Sequence, residues 1–278
     1  MRGLMPADLA VYIINLDRSP ERWAAMEAEM ARVGLTARRV PALDARRDAD
    51  LMRQTRPFPK PDGEMIFEMG HEGKPYRLSE EACFQSHLKA LGLFLKDGGT
   101  AALILEDDAE FAPDATAAIA AILAMPGAWD AVRLEGLRTH GRRPAIHVAD
   151  LPGERMLVAS MRPVWGSAAY LITRAGAERL LARGRRLETY DGYLGALAAH
   201  GLRFLDCAPF PIRQAAGPST IVHEAAPRAP LRQRRWFAAW WRHVRADQMR
   251  QIPRWTLFPV KYWRRALRWT MAPWYRAW

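Results

Sequence analysis

Ala101-Ala102-Leu103-Ile104-Leu105 runs directly into Glu106-Asp107-Asp108. A continuous apolar run this short, closed off at Gly98-Gly99 on one side and by acids on the other, suits a central strand buried on both faces. In an open α/β sheet, ligands gather beyond the carboxyl ends of the strands. The stretch therefore predicts a fold and a site together. Alternation along an extended chain would turn Glu106 and Asp108 to one side and Asp107 to the other. Carboxylates on one side suit a hard divalent ion whose remaining ligands are phosphate oxygens and water. Taken alone, three acids read more simply as a solvated strand end ahead of a helix.

The flanking segments extend the same pattern. Ala10-Val11-Tyr12-Ile13-Ile14-Asn15-Leu16 is strand-like, and Ser19 before Pro20 reads as an N-cap followed by proline at the first helical position. Trp23, Met26, Met30 and Val33 recur at helical spacing until Gly34, and residues 38–43 form a second short strand. Strand, helix and strand in this order predict a βαβ unit with a parallel sheet. Residues 44–78 are polar and rich in Pro and Gly, as a long loop or lid would be. Ser79 is expected to cap a helix running to Lys96. Further helices are expected at 113–124, 174–183 and 191–200, and strands at 129–134, 156–160, 168–172 and 204–206.

The 278 residues carry a net charge of +11, with 50% hydrophobic and 26% charged side chains, the balance of a globular chain. The excess charge is confined to one end. Residues 228–278 hold 12 Arg, one Lys and 8 of the 11 Trp against the single acid Asp247, whereas residues 1–227 hold 28 bases and 29 acids. A neutral body argues against nucleic acid as the main partner, although a basic, aromatic tail could bind single strands. The pattern divides the chain into a catalytic-looking domain, 1–227, and an Arg/Trp-rich tail, 228–278. Trp236, Trp240 and Val244, then Trp263 and Leu267, recur at helical spacing among arginines, so the tail reads as short amphipathic helices on an anionic membrane surface. Some tryptophans are expected to fold back onto the body. No apolar run approaches the ~20 residues of a membrane-spanning helix. Two cysteines and no recognisable signal peptide point to a reducing compartment, with the protein cytoplasmic and peripheral on the inner face of the cytoplasmic membrane.

Four blocks in order resemble glycosyltransferase family 25, which contains bacterial lipooligosaccharide galactosyltransferases and collagen galactosyltransferases. They are Ile14-Asn15-Leu16-Asp17-Arg18-Ser19-Pro20-Glu21-Arg22; Ser79-Glu80-Glu81-Ala82-Cys83-Phe84-Gln85-Ser86-His87-Leu88; Leu103-Ile104-Leu105-Glu106-Asp107-Asp108; and Ala168-Ala169-Tyr170-Leu171-Ile172-Thr173-Arg174-Ala175-Gly176-Ala177. The likeness covers roughly 11–221 and omits the tail. It departs from the family at Ser79 and Ala82, where glycines are usual. The resemblance implies a GT-A-like α/β domain with a mixed central sheet and a Mn2+ or Mg2+ ion. It also implies inverting transfer of a hexose, with galactose leading, from a UDP-sugar donor to a glycan or glycolipid acceptor such as lipooligosaccharide core. A non-catalytic module of the same fold, docking on a membrane or partner, is the alternative.

Within that reading, Asp108 is the leading metal ligand, with Glu106 or Asp107 as a second contact. Asn15, Asp17, Arg18, Arg22, Ser86 and His87 fall in the donor-binding blocks. Arg18 and Arg22 sit at a helix start, where cations are electrostatically disfavoured, and an anionic donor would explain them. An inverting transfer needs a carboxylate base. Asp191 is the first candidate, although a simple N-cap explains it equally well, and Glu135 is the reserve. Cys83 and His87 share a helix face at i and i+4, as a zinc or thiol–imidazole pair would. Neither Cys207 nor another histidine supplies a second zinc pair, so both are expected to pack or orient the site.

Overall fold

The computed structural model describes residues 9–48, 78–136, 142–160, 164–182, 189–195, 201–215 and 269–273. The expected βαβ unit is present. Strand β1 (Leu9–Asn15) leads through helix α1 (Pro20–Val33) to β2 (Arg38–Pro41), which pairs with β1 in parallel, Tyr12 opposite Arg38. Pro20 stands at the first turn of α1, but the Ser19 side chain makes no capping bond; the Asn15 side-chain amide instead donates to the Ser19 carbonyl at 3.0 Å. Gly34 ends α1 in the left-handed conformation (φ +73°), where glycine carries no Cβ penalty.

Helix α2 (Leu78–Asp97) begins one residue before Ser79, so Ser79 lies inside the helix rather than capping it. Strand β3 (Ala101–Glu106) pairs in parallel with β1 and is the buried strand that the apolar run predicts. The chain then turns at Asp107 and Asp108 into a short strand β4 (Ala109–Phe111), which no sequence signal marked. Helix α3 (Ala115–Leu123) and strand β5 (Ala131–Arg133) follow. A hairpin, β6 (Arg142–Leu151) and β7 (Arg155–Ser160), precedes β8 (Ala169–Thr173), α4 (Arg174–Ala182) and α5 (Tyr190–Gly195). Strands β9 (Phe204–Ala208), β10 (Ile212–Gln214) and β11 (Trp269–Pro273) complete the described elements. The loop or lid at 49–77, the last turn of the helix expected to reach residue 200, and residues 216–268 lie outside the described residues.

Among the described residues, nine strands form one mixed sheet in the order β11-β6-β7-β9-β5-β8-β3-β1-β2, and β10 pairs with β4 in a separate ribbon. Alternation on β1 and β3 sorts two cores. Val11, Ile13, Leu103 and Leu105 pack with Met26 and Met30 of α1 and Ile119 and Ile122 of α3. Tyr12, Ile14, Ala102 and Ile104 pack on the other face with Phe84, Leu91 and Phe94 of α2 and with Leu180 and Tyr193 of α4 and α5. Helices thus cover both faces of the parallel pair β1 and β3, whose side chains are apolar up to Asn15 and Glu106 at their carboxyl ends. Gly176 lets α4 close on the sheet, since a methyl group there would stand 2.5 Å from the Asp130 carbonyl oxygen.

Within the stretch read as an appendage, Trp269–Pro273 is a strand rather than a helix. It adds antiparallel to the outer edge of β6, with Trp269 opposite Ile146. Backbone pairing there satisfies ladder groups that an edge strand would leave open.

Asp130, 3% exposed, ties β5 to the turn before β9. Its carboxylate accepts from the Arg203 backbone amide at 2.7 Å and from its guanidinium at 2.8 and 3.0 Å. Burial pushes this carboxyl up, but the Arg203 bonds outweigh it and hold the pKa below the ordinary value. A depressed folded pKa contributes stability above the unfolded pKa of about 3.9, and that stability is lost as pH falls through the folded value. Asp130→Ala is therefore expected to lower unfolding free energy by about 2 kcal/mol at pH 7, from the lost charged bonds and an orphaned amide. The difference from wild type should shrink at acid pH, once the wild-type carboxyl is also protonated. Urea midpoints at the two pH values check this; equal midpoints at pH 7 reject it.

Candidate functional site

The carboxyl ends of β1, β3 and β5 bring the three acids of the first motif together with Asn15 and Glu135. Asn15, 1% exposed, is fully engaged: its amide donates to Asp107 Oδ2 at 2.8 Å, and its Oδ1 accepts from Arg39 Nε at 2.8 Å. Arg22, one turn into α1, spans two acids, donating to Asp107 Oδ1 at 2.5 Å and to Asp108 Oδ2 at 2.9 Å. A cation at the helix start is thus explained by the acids it faces.

The strand ends at Glu106, so the expected alternation of the three acids does not hold. Asp107 and Asp108 occupy a turn and share Arg22, while Glu106 faces α2. Glu106 Oε1 accepts from Ser167 Oγ at 3.1 Å and lies 3.3 Å from His87 Nε2. Burial would raise the Glu106 pKa, but His87, Ser167 and Arg22 hold it below the ordinary value. Asp107 is raised by burial despite Asn15 and Arg22. Asp108 is pushed up to about 7, first by burial and then by the Glu106 charge, against the pull of Arg22. Its Oδ1 is buried without a hydrogen-bond partner among the described residues.

Glu135, just past β5, is 2% exposed, and its Oε2 accepts from the Ala168 amide at 3.2 Å. Burial and the Glu106 charge push it up to about 8. Asp191 lies in the first turn of α5 rather than at the cap position. Thr189 precedes the helix, its hydroxyl donates to Asp191 Oδ1, and its carbonyl accepts from the Tyr193 amide. The Gly192 amide donates to the same Asp191 oxygen at 2.8 Å. The half-buried Asp191 also lies within electrostatic reach of Cys83 and Arg133, which puts it beside the acidic crevice.

The other donor-block residues divide between the surface and the core. Asp17 is exposed and pairs with Arg39 at 2.9 Å and Arg47 at 3.3 Å. Arg18 pairs with Asp44 at 2.7 Å. Ser86 is buried, donating to the Ala82 carbonyl at 2.6 Å and accepting from the Leu43 amide at 2.9 Å, so it joins α2 to the end of β2. His87 is fully buried and lies 3.3 Å through Nδ1 from the Tyr170 hydroxyl. Tyr170 is core, as an aromatic in a central strand usually is.

Arg133 was not singled out by its sequence context. It is 1% exposed, its guanidinium lies 4.9 Å from the Phe204 ring centre and 3.9 Å from Asp206 Oδ1, and Nε and one terminal nitrogen lack hydrogen bonds. An arginine in a three-residue strand carries no pattern that separates it from a solvated one.

Helices on both faces of a mixed sheet, with carboxylates collected at the strand ends, define an α/β protein of the kind in which ligands gather beyond those ends. The chain belongs to glycosyltransferase family 25 (LPS biosynthesis protein), whose family model matches residues 8–193. It is 25% identical over 186 residues to a glycosyltransferase 25 family member of Anopheles gambiae, covering 62% of this chain and 28% of that one. It is 28% identical over 178 residues to another such member from Aedes aegypti, covering 62% and 27%. It is 26% identical over 177 residues to a rat protein named "Probable inactive glycosyltransferase 25 family member 3", covering 62% and 29%. The chain thus spans under a third of the length of the curated relatives it matches. Among solved structures, it is similar to an inositol-1-phosphate CTP transferase from T. maritima, at 8% identity, with a TM-score of 0.39, over 80% of this chain and 94% of that one.

Proposed function

We propose that the chain is a GT-A-like, inverting glycosyltransferase that moves a hexose, galactose first, from a UDP-sugar to a bacterial envelope glycan such as lipooligosaccharide core. The observation that carries this reading is the carboxylate turn at the end of β3, where Asp108 keeps one buried oxygen without a partner beside Asp107 and Glu106. Oxygen-only donors of this kind suit Mn2+ or Mg2+. Asp108 would hold the ion, with Asp107 or Glu106 assisting; when bound, it would neutralise the charge that develops on a departing nucleoside diphosphate.

The chain's own residues supply the rest. Arg22 already faces Asp107 and Asp108, so an arriving diphosphate would meet a guanidinium held in place by two acids. Asn15 fixes the Asp107 carboxylate from the opposite side. Asp191, half-buried beside the crevice, is the proposed base that takes the proton from the acceptor hydroxyl. Incubating the protein with each common UDP-sugar and manganese, with and without chelator, tests the reading. Chelator-sensitive UDP release from UDP-galactose supports it. A GDP- or CMP-sugar preference overturns the donor class, and no turnover with any donor favours the non-catalytic module, a reading that the rat relative's name keeps in view.

The basic tail suggests work at the inner face of the cytoplasmic membrane. Among the described residues, no helix is long and apolar enough to cross a membrane. Each cation near an anionic leaflet contributes roughly 1 kcal/mol. Replacing Arg234, Arg235, Arg242 and Arg245 by Gln, with β11 left in place, is expected to weaken flotation with anionic liposomes by more than about tenfold. Equal flotation of the two proteins at low salt rejects the membrane role.

A further inference from the structure

Cys83 and His87 stand one turn apart on α2, and the end of β3 brings Glu106 against them. One ligand atom from each of the three lies within 4.8 Å of the other two. The imidazole is locked. Its Nδ1 lies 3.3 Å from the Tyr170 hydroxyl, its Nε2 lies 3.3 Å from Glu106 Oε1, and Tyr190 stacks on it with ring centres 4.0 Å apart at 6°. The Tyr170 and Tyr190 hydroxyls are themselves 2.6 Å apart. A partner on one ring nitrogen, with the other nitrogen presented to a shared point, is the arrangement that fixes metal-binding histidines.

We propose that Cys83, His87 and Glu106 form a site for a borderline-soft divalent cation, zinc first. The donor set decides the metal. A thiolate and an imidazole with one carboxylate match zinc, whereas manganese and magnesium favour oxygen alone. Ligand atoms around tetrahedral zinc lie roughly 3.4–3.6 Å apart, so from separations within 4.8 Å closure needs at most about 1.4 Å, within the reach of a side-chain rotation. Cys83 and Glu106 are each half-buried, at the edge of the core rather than inside it. Asp108, Asp191 and Glu80 lie within electrostatic reach of Cys83 and add negative potential around the ion. The cation would tie α2 to β3 through side chains, adding to the His87–Glu106 contact and the apolar packing between them. The site is distinct in its donors from the oxygen site centred on Asp108 and shares only Glu106 with it.

The test uses the full chain, stripped with chelator and titrated with Co2+ as the visible stand-in for zinc. Expected is a thiolate-to-cobalt charge-transfer band in the near ultraviolet that saturates at one equivalent and is displaced by Zn2+, which such sites bind more tightly. Cys83→Ser should remove the band, and Tyr170→Phe should weaken zinc binding about 10–100-fold by freeing the imidazole. Asp108→Asn should keep the band. A wild-type protein without the thiolate band overturns the site, as does a band that survives Cys83→Ser and vanishes in Cys207→Ser. The wild-type spectrum carries the decision even if a variant fails to fold. Its failure leaves UDP release unaffected as evidence, and failure of UDP release leaves the spectrum so.

Discussion

Asp108→Asn is expected to lower UDP-sugar turnover by at least about 10²-fold while the protein remains folded, the scale of losing one electrostatic stabiliser of a developing charge. The side chain sits in a turn rather than in the apolar strand, so an amide of the same shape disturbs little packing. What changes is charge. Asp108 feels the charges of Glu106 and Asp107, with Arg22 as its bonded cation. Removing one negative charge weakens the hold on a divalent ion and leaves Arg22 with one fewer charged partner beside Asp107. Burial and the Glu106 charge hold the Asp108 carboxyl at about 7 in the ion-free protein, and a bound cation would lower it. Manganese dependence should therefore steepen as pH falls from 8 to 6, because protons and metal compete for one carboxylate. Near-normal turnover of Asp108→Asn at saturating manganese rejects the assignment.

Asp191→Ala should reduce kcat by ~10²–10⁴-fold with little change in donor KM, as loss of a general base does. The two candidate bases differ in access. Glu135 is 2% exposed, bonded to the Ala168 amide, and pushed by burial to about 8, which keeps it protonated at neutral pH. An acceptor hydroxyl cannot reach it without opening the sheet end. Asp191 is half-buried, and its Oδ1 is oriented by Thr189 and the Gly192 amide, leaving Oδ2 free of these bonds. Glu135→Gln copies the protonated acid and should cost less than about tenfold in kcat. If Asp191→Ala lowers only the melting temperature and Glu135→Gln abolishes turnover, the roles are exchanged.

The apolar run 101–105 and the β1–α1–β2 pattern were legible because strand and helix periods are local properties of the chain. Residues 38–41 and 169–173 were placed to within a residue or two for the same reason. The short β4 and β10 were not, since neither stands in an apolar run and each is held as a strand by pairing with the other. The edge strand β11 escaped because its tryptophan-rich surroundings fit a helix equally well, and only the open edge of β6 selects the extended form.

The acidic cluster, the donor-block arginine at position 22 and the Cys83–His87 pair were visible as residue types at telling intervals. Their grouping was not. Arg22 and Asp107 are 85 residues apart, and His87 meets Glu106 and Tyr170 across 19 and 83 residues. Such contacts depend on strand order and on where a strand stops, and β3 stops one residue before alternation could orient Asp107 and Asp108. Local pattern therefore determined the elements and marked the reactive residues. Sheet topology decided which of them meet, because side-chain chemistry over a few ångströms follows from backbone pairings that no single segment encodes.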